Sequence, residues 1–467
     1  MGVGVSNWRL ANAVASHGQL GVISGTVIDS LFVRRLQDGD VGGHLRRAME
    51  RFPIPDVAEA VLRHFFVDGG IAPSTPYRLL SMWRQRVSRL REQITMLASF
   101  VEVSLAKEGH GGQVGINLLT KVQMPNLATL YGAMLAGVDY VLMGAGIPKE
   151  IPGVLDAFSE HRTAELRFDV DGLTPGRTEF LTFDPARHWV PATPLKRPRF
   201  LAIVSANSLA ATLARKSTGT VNGFIVEAPS AGGHNAPPRG DLKLNDRNEP
   251  IYGDRDVVDL SKLKELGLPF WVAGGGGSRA ALDRAREAGA AGVQVGTLFA
   301  FCDESGIAPE LKARVLSALD QGDVEVLTDA LASPTGYPFK ILHMQDDADD
   351  ARRAKRERVC DLGYLRTAYQ TAEGKIAYRC SAEPVDQYVA KGGDAKDTEG
   401  RQCLCNGLLA TIGHGQWRGD EGREPPIVTS GAELADLRAI AAGRDRYTAE
   451  EVIDWVLNPV PAPSMSS

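Results

Sequence analysis

The stretch from Phe224 to Phe301 decides the fold, and it contains three glycine-rich motifs in a set order. They are EAPSAGGHNAP (227–237), WVAGGGGSRAAL (271–282) and AAGVQVGTLF (290–299). An apolar run leads into each turn, and a helix-like segment follows the second one. This order of strand, glycine turn, helix, strand and Gly-Thr turn is typical of a β/α barrel that binds a phosphate at the carboxyl ends of its last strands.

The rest of the chain extends this rhythm. Apolar strands alternate with helices over roughly 300 residues, which predicts an α/β fold with a parallel (β/α)8 TIM barrel in residues 1–300. A helical insertion is predicted at about 50–110, where apolar side chains recur at three-to-four spacing from Tyr77 onward. Residues 301–455 are predicted to be an appended, mostly helical, cysteine-containing region, and residues 456–467 a disordered tail.

The composition argues against several classes of function. The chain has 467 residues, 43% of them hydrophobic and 23% charged, and a net charge of −5. That charge, without a basic stripe, argues against a nucleic-acid partner. No apolar run approaches the ~20 residues of a membrane span and no secretion signal is apparent, so we expect a cytoplasmic protein that acts on a small molecule. Five cysteines without a secreted framework agree with a reducing compartment, and an oligomer is compatible with the sequence.

Four consecutive glycines, Gly274 to Gly277, form the turn after the run PFWVA. A turn without Cβ atoms lets backbone N–H groups approach an anion, and the following helix adds the positive end of its dipole. Gly296 and Thr297 end the next strand in a similar way. The alternative is a tight turn that needs positive φ, for which one or two glycines suffice. A dinucleotide fingerprint fits less well because the helix start SRAA lacks the third glycine.

A histidine follows two glycines in the loop after the run GFIVEA: His234 comes directly after Gly232 and Gly233. A loop histidine that titrates near neutrality can take a proton from carbon or donate one, and the glycines leave room for a ligand. The alternative is a structural hydrogen bond within the loop. Asn117 ends another predicted strand, where its amide can both donate to and accept from a planar heterocycle. Ser205 ends a third strand that faces the same way.

All five cysteines lie within residues 301–455. Cys302 comes just past the last strand and is expected to be buried, whereas the others are Cys360, Cys380, Cys403 and Cys405. A C-x-C pair with two distant cysteines suits zinc or an iron–sulfur cluster. These spacings do not match the usual C-x2-C knuckles, which favours ordinary thiols over a metal site.

Taken together, the motifs resemble the nitronate monooxygenase family, also called 2-nitropropane dioxygenase-like proteins. The opening MGVGVSN…ANAVASHGQLGVIS resembles the start of that family, GINLL its second flavin-contacting strand, and FLAIVSANSLAATLA its Val-x-Ser strand end. EAPSAGGHNA resembles its Glu-Ala-Gly-Gly-His loop, and VAGGGG with GVQVGTLF resembles its pair of phosphate turns. The resemblance covers about residues 1–300 and implies an FMN-dependent (β/α)8 barrel.

The resemblance also implies roles for individual residues. His234 would be the active-site acid/base. The residues implied to contact the flavin are Met1, Asn117, Ser205, Gly232 and Gly233, and those implied to hold its phosphate are Gly274, Gly275, Gly276, Gly296 and Thr297. The family has a strand before its Met-Gly turn, whereas this sequence begins at that methionine, so either its start is misassigned or truncated or the first barrel strand is missing.

Two functions follow from the resemblance. The first is a nitronate monooxygenase that oxidises alkyl nitronates with O2 to a carbonyl compound and nitrite, with His234 deprotonating the neutral nitroalkane or stabilising the nitronate charge. The second is a trans-acting enoyl reductase of polyketide or fatty acid synthesis, because Pro229 and Ser230 lengthen the His loop toward that sister branch. Such an enzyme would use NADPH as reductant and an acyl carrier protein as partner, and a protonated His234 would donate to the α-carbon. A third alternative is a scaffold whose flavin site has decayed.

Overall fold

The computed structural model describes residues 2–345 and 347–458. Its strands, in chain order, are β1 (Gly21–Ser24), β2 (Val114–Leu119), β3 (Tyr140–Gly144), β4 (Ala164–Phe168), β5 (Val170–Asp171), β6 (Glu179–Phe183), β7 (Arg199–Val204), β8 (Gly223–Glu227), β9 (Phe270–Ala273), β10 (Gly292–Gln294), β11 (Val324–Asp329), β12 (Phe339–Met344), β13 (Thr367–Gln370) and β14 (Ile376–Arg379).

The helices surround the strands and extend beyond them. In chain order they are α1 (Trp8–Ser16), α2 (Ile28–Gln37), α3 (His44–Met49), α4 (Pro55–Phe65), α5 (Arg89–Ala106), α6 (Asn126–Leu135), α7 (Ile151–Ser159), α8 (Asn207–Lys216), α9 (Leu260–Lys264), α10 (Arg279–Glu287), α11 (Thr297–Ala300), α12 (Pro309–Gln321), α13 (Ala348–Lys355), α14 (Val385–Ala390), α15 (Leu404–Thr411), α16 (Ala435–Ala441) and α17 (Ala449–Leu457). No helix in residues 2–345 and 347–458 is long and apolar enough to cross a membrane.

The main sheet is parallel and its strands lie in the order β1-β2-β3-β7-β8-β9-β10. Helices separate successive strands, as α6 separates β2 from β3 and α10 separates β9 from β10, so the sheet is built from β/α crossovers. This confirms the predicted α/β, TIM-barrel-like fold, with seven parallel strands in the described chain instead of the predicted eight. Because the strands are parallel, their carboxyl ends and the loops that follow them lie at one face of the sheet.

The outer edge of β1 is occupied by the segment before α1. The Ser24 N–H donates to the Ser6 carbonyl at 2.8 Å, on the side of β1 that faces away from β2. The neighbouring Val5 carbonyl accepts from the Gly306 N–H, also at 2.8 Å. Backbone groups at this strand edge, which would otherwise be unpaired, are therefore satisfied partly by irregular chain.

The sheet separates two apolar cores. On its inner face lies a small core of Tyr140, Leu142, Leu201, Ile225 and Ala273. Residues of alternate register, such as Val141, Phe200 and Phe224, belong instead to the large core shared with the helices. This alternation follows from the two-residue period of a strand, and because both faces are covered the strands are almost continuously apolar.

Helices α2 to α5 form the connection from β1 to β2, and the insertion predicted at about 50–110 corresponds to α4 and α5. The helix expected from Tyr77 onward begins twelve residues later, at Arg89, where Ser88 caps it by accepting from the Arg91 N–H. Upstream, the Tyr77 and Arg78 N–H groups donate to the side-chain amides of Gln416 and Gln37, each at 2.7 Å. Tertiary hydrogen bonds therefore replace helical ones in a segment whose apolar spacing alone favours a helix.

The appended region contains α12 to α17 and also two antiparallel ribbons, β11–β12 and β13–β14. The region therefore contains strands as well as the predicted helices. Strand β13 also pairs in parallel with β5, and buried residues of the region join the same large core as the barrel. Helix α17 extends to Leu457, into the predicted disordered tail, and residues 459–467 lie outside the described residues.

A buried charged cluster ties α2, α5 and the appended region together. The Asp29 carboxylate accepts from Arg91 Nη1 at 2.7 Å, Thr95 Oγ1 at 2.8 Å and Trp83 Nε1 at 3.1 Å, and also from the Tyr364 hydroxyl. Burial opposes ionisation here, but the Arg91 charge and these hydrogen bonds lower the pKa of Asp29 to about 2. The cluster also fixes Tyr364, which lines the cavity described next.

Candidate active site

A large cavity lies at the carboxyl ends of the parallel strands. Its walls include one residue from the end of each of five strands: Asn117 of β2, Gly144 of β3, Ile203 of β7, Glu227 of β8 and Gln294 of β10. The empty space within these walls, which includes solvent at the open mouth, is about 900 Å³. Mostly apolar walls with a few polar groups are typical of small-molecule and cofactor sites.

The appended region supplies the opposite wall of this cavity. Its contribution comprises Phe339, Tyr364, Leu365, Leu404, Cys405, Leu408 and Thr429. The region is therefore part of the candidate site, and it is not a separate unit beside the barrel. Nothing in the spacing of these residues indicated this, because they come from four separate segments that meet only in the folded chain.

His234 lines the cavity, and both of its neighbouring glycines do the same. Its Nε2 lies 2.7 Å from Ser333 Oγ, which in turn lies 2.8 Å from Thr335 Oγ1. The imidazole also packs edge-on against Phe339, with 4.8 Å between the ring centroids. Burial, assisted by the positive charge of Lys121, lowers the pKa of His234 to about 4. The imidazole is therefore neutral at physiological pH, contrary to the protonated donor that the sequence suggested for enoyl reduction.

Glu227 faces the same cavity at the end of β8. Burial raises the pKa of its carboxyl group to about 7, although the Lys340 ammonium acts in the opposite direction. Lys340 is itself buried, and its Nζ donates to Thr328 Oγ1 at 2.5 Å. The sequence reasoning missed Glu227, although its place at a strand end, five residues before Gly232, was a usable signal.

The other residues predicted to contact a flavin divide between two cavities. Asn117 is buried and lines the main cavity, with Gly232 and Gly233. Ser205 lines a smaller neighbouring cavity, and its carbonyl accepts from Arg239 Nη2 at 2.6 Å. The prediction for Met1 lies outside the described residues.

The glycine turns lie beside the His loop. Gly274 and Gly275 have φ of +92° and +71°, values that favour glycine, and a Cβ on Gly274 would lie 2.8 Å from Ser230 Oγ. Gly276 is buried, and in the described chain the N–H groups of Gly275 and Gly276 donate to no backbone or side-chain acceptor. A Cβ on Gly296 would meet nothing within 4 Å. The turns therefore combine close backbone packing on one side with unpaired donors and open space on the other.

A segment of the appended region crosses these turns. The Gly431 N–H donates to Thr297 Oγ1 at 2.9 Å, so the predicted phosphate-binding hydroxyl already has a protein partner. The exposed carboxylate of Glu433 lies 3.4 Å from the position that a Cβ on Gly275 would take. A negative charge of the protein thus stands next to the turn that the sequence predicted to bind an anion.

The four late cysteines converge. Cys360, Cys380, Cys403 and Cys405 all line one small cavity, although they are spread over 46 positions of sequence. Among the described residues, no three His, Cys, Asp or Glu side chains are placed to hold a single metal ion. Cys302 is buried elsewhere, and its thiol donates to the Phe299 carbonyl at 3.2 Å.

Comparison with known proteins confirms the resemblance. Residues 178–333, about a third of the chain, match the family model of nitronate monooxygenase. No curated protein sequence matches the chain at a significant level. Similar solved structures include FabK from Thermotoga maritima, with 14% identity over 97% of this chain and 88% of that one and a TM-score of 0.45. A nitroalkane oxidase from Streptomyces ansochromogenes has 14% identity, coverage of 98% and 92%, and a TM-score of 0.44. The enoyl reductase domain of MlnA from Bacillus amyloliquefaciens has 11% identity, coverage of 98% and 92%, and a TM-score of 0.46.

Proposed function

We propose that this chain, an oxidoreductase with a nitronate monooxygenase region, binds FMN and oxidises alkyl nitronates with O2 to a carbonyl compound and nitrite. The observation that carries the proposal is a neutral histidine in a cavity at the carboxyl ends of barrel strands, next to a glycine turn in which the Gly275 and Gly276 N–H groups have no acceptor among the described residues. A neutral imidazole can accept a proton from carbon, which is the step needed to make a nitronate from a nitroalkane.

The residues present fit in part the FMN that this function requires, because the turn glycines are not among the residues that line the cavity and the Glu433 carboxylate lies beside Gly275. The unpaired N–H groups of Gly275 and Gly276, with the N-terminus of α10 just beyond them, are suitable donors to a phosphate. Asn117 and the backbone at Gly232 and Gly233 line the cavity where a planar ring would lie. FMN, when bound, supplies the redox chemistry of the reaction, and the protein supplies orientation and the proton site.

Hydrogen bonding around His234 favours its use as a base. Ser333 Oγ can donate to Thr335 Oγ1 and accept from His234 Nε2–H, which leaves the Nδ1 lone pair available. Within the described residues Nδ1 makes no hydrogen bond. We therefore assign proton abstraction to Nδ1 of His234 and tautomer control to Ser333, a positioning residue. The nearby positive charge of Lys121, which disfavours an imidazolium, also favours binding of an anionic nitronate.

The decisive experiment compares two forms of one substrate in the His234→Ala variant. With the neutral nitroalkane, oxygen uptake and nitrite release should fall by a factor of about 10² to 10⁴, the usual contribution of a general base. With the preformed nitronate, which needs no deprotonation, the rate should be nearly that of the wild type. FMN content should be equal in both proteins. Equal losses on the two substrate forms would refute the role as base, and a wild-type protein that takes up no FMN would refute the function itself.

Glu227 supports a second candidate function, the NADPH-dependent reduction of carrier-bound enoyl chains. That reaction needs a proton donor in the cavity, and a carboxyl group with a pKa of about 7 is half protonated near neutral pH. In this candidate Glu227 takes the donor role that the sequence suggested for His234. Rapid anaerobic bleaching of bound flavin by NADPH would favour the reductase, whereas indifference to NADPH together with nitronate-dependent oxygen uptake would favour the monooxygenase.

A further inference from the structure

Four of the five cysteines in this chain surround one cavity. They come from three separate places in the fold: Cys360 from the segment after α13, Cys380 from the residue after β14, and Cys403 and Cys405 from the start of α15. Cys380 and Cys405 are buried and the other two are half-buried. Because sequence-distant segments must be folded together to bring these thiols to one place, chance clustering of spectator cysteines is a poor explanation.

A hydrogen-bond donor and two cations lie beside the sulfur atoms. The Asn406 side-chain amide donates to Cys403 Sγ at 3.5 Å. The guanidinium groups of Arg356 and Arg366 place positive charge beside Cys403 and Cys360. N–H donors and cations around ligating sulfur are the features by which proteins stabilise and tune iron–sulfur clusters.

The geometry distinguishes a cluster from a single ion. A structural zinc ion holds four thiolates at about 2.3 Å, which brings the sulfur atoms close to one another. No such convergence on one point occurs among the described residues; instead the four thiols lie around a small apolar cavity whose other walls include Pro334, Leu362 and Ala382. In a [4Fe–4S] cluster each cysteine binds a different iron, so the ligands stand around a volume.

We infer that Cys360, Cys380, Cys403 and Cys405 are the ligands of a [4Fe–4S] cluster, one thiolate to each iron. The site is independent of the proposed flavin function, but the two cavities are neighbours. Leu365, Leu404 and Cys405 line both of them, so only one layer of side chains separates the cluster site from the main cavity. The appended region therefore has a role beyond closing the cavity, since it brings a one-electron redox centre next to it.

The test uses the full-length protein purified without oxygen. The protein is analysed both as isolated and after reconstitution with ferrous iron and sulfide. We expect about four irons and four labile sulfides per chain, and an electron paramagnetic resonance signal after reduction by dithionite. Cys380→Ser and Cys403→Ser should each lose most of the iron and the signal. Cys302→Ser changes the one cysteine outside the cavity, and this variant should keep both the iron and the paramagnetic resonance signal. Circular dichroism of each variant tests whether a loss of iron reflects unfolding.

Three results would overturn the inference: zinc in place of iron, disulfides among the four cysteines with no iron after reconstitution, or iron that both cavity variants retain. FMN is measured in the same samples, so the two proposals fail separately. Flavin without iron would refute the cluster alone, and iron without flavin would refute the proposed function alone.

Discussion

The ionisation of His234 allows a quantitative test of the proposed mechanism. Its pKa is lowered to about 4 by burial and by Lys121, so the imidazole should remain a competent base far below neutral pH. The perturbation is therefore acidification, and the quantity measured is kcat/KM for the un-ionised form of a nitroalkane. Activity should stay level from neutral pH downward and decline only as the pH approaches about 4.

The size of the effect follows from the two pKa values. At a pH of about 5.5, a histidine with the ordinary pKa of ~6.5 is neutral in roughly one molecule in ten, whereas a histidine with a pKa of about 4 is neutral in nearly all. The expected activity at that pH is thus about tenfold higher than an unperturbed base would allow, equivalent to about 1.4 kcal/mol. Lys121→Gln, which removes only the charge, should move the lower limb of the profile toward higher pH.

Steady-state oxygen uptake over a series of pH values measures the profile, with flavin content checked at each pH. Ser333→Ala serves as a matched variant, because it removes the partner of Nε2 and leaves the imidazole in place. It should lower the rate on the neutral nitroalkane and leave that on the preformed nitronate unchanged. If the wild-type kcat/KM falls to half near pH 6.5, the assigned protonation state of His234 is wrong. If Ser333→Ala is impaired equally on both substrate forms, tautomer control by Ser333 is refuted.

Four further predictions concern the glycine turn, the Glu433 carboxylate beside it and the buried Asp29. Gly275→Asp should abolish FMN retention because its carboxylate repels the phosphate. Gly275→Asn is equally strained at positive φ but uncharged, so it should retain FMN more weakly than the wild type. Equal retention in the two variants would contradict the assignment of a phosphate to this turn. Glu433→Gln should tighten FMN binding by about two- to fivefold at low salt and by less at high salt, and fluorescence titration measures this affinity. An unchanged affinity would contradict an electrostatic effect of this carboxylate on the bound phosphate. Asp29→Asn should lower the free energy of unfolding by about 3–5 kcal/mol in denaturant titrations, because Arg91 loses its buried partner. As a control, Glu59→Gln removes the exposed ion pair with Arg63 and should lower it by less than about 0.5 kcal/mol. The pKa of Asp29 is about 2 in the folded protein and 3.8 in the unfolded chain. The contribution of its ionised form to the free energy of unfolding is therefore complete above pH ~4 and is lost as the pH falls through ~2. A wild-type stability that is independent of pH over this range would contradict this prediction.

Much of the candidate site follows from local patterns. The order of strands and helices predicted the parallel sheet, and because parallel strands end at one face, it also predicted that Asn117, the His loop and the glycine turns lie together there. The structure places Asn117, Gly233 and His234 on one cavity. Ser205 lies against the neighbouring cavity, where its carbonyl accepts from Arg239, a long-range contact that strand-end position cannot reveal.

The sequence by itself determined the framework of this protein: the β/α rhythm, the glycine positions that need positive φ, and the histidine beside them, since all of these depend on neighbours a few residues apart. Only the tertiary structure decided the chemistry of the site. The protonation states of His234 and Glu227, the support from Ser333, the Glu433 carboxylate beside the turn and the meeting of four cysteines all depend on burial and on contacts between distant segments. Electrostatic energies are set by the surroundings in three dimensions, so a list of residue types leaves them open.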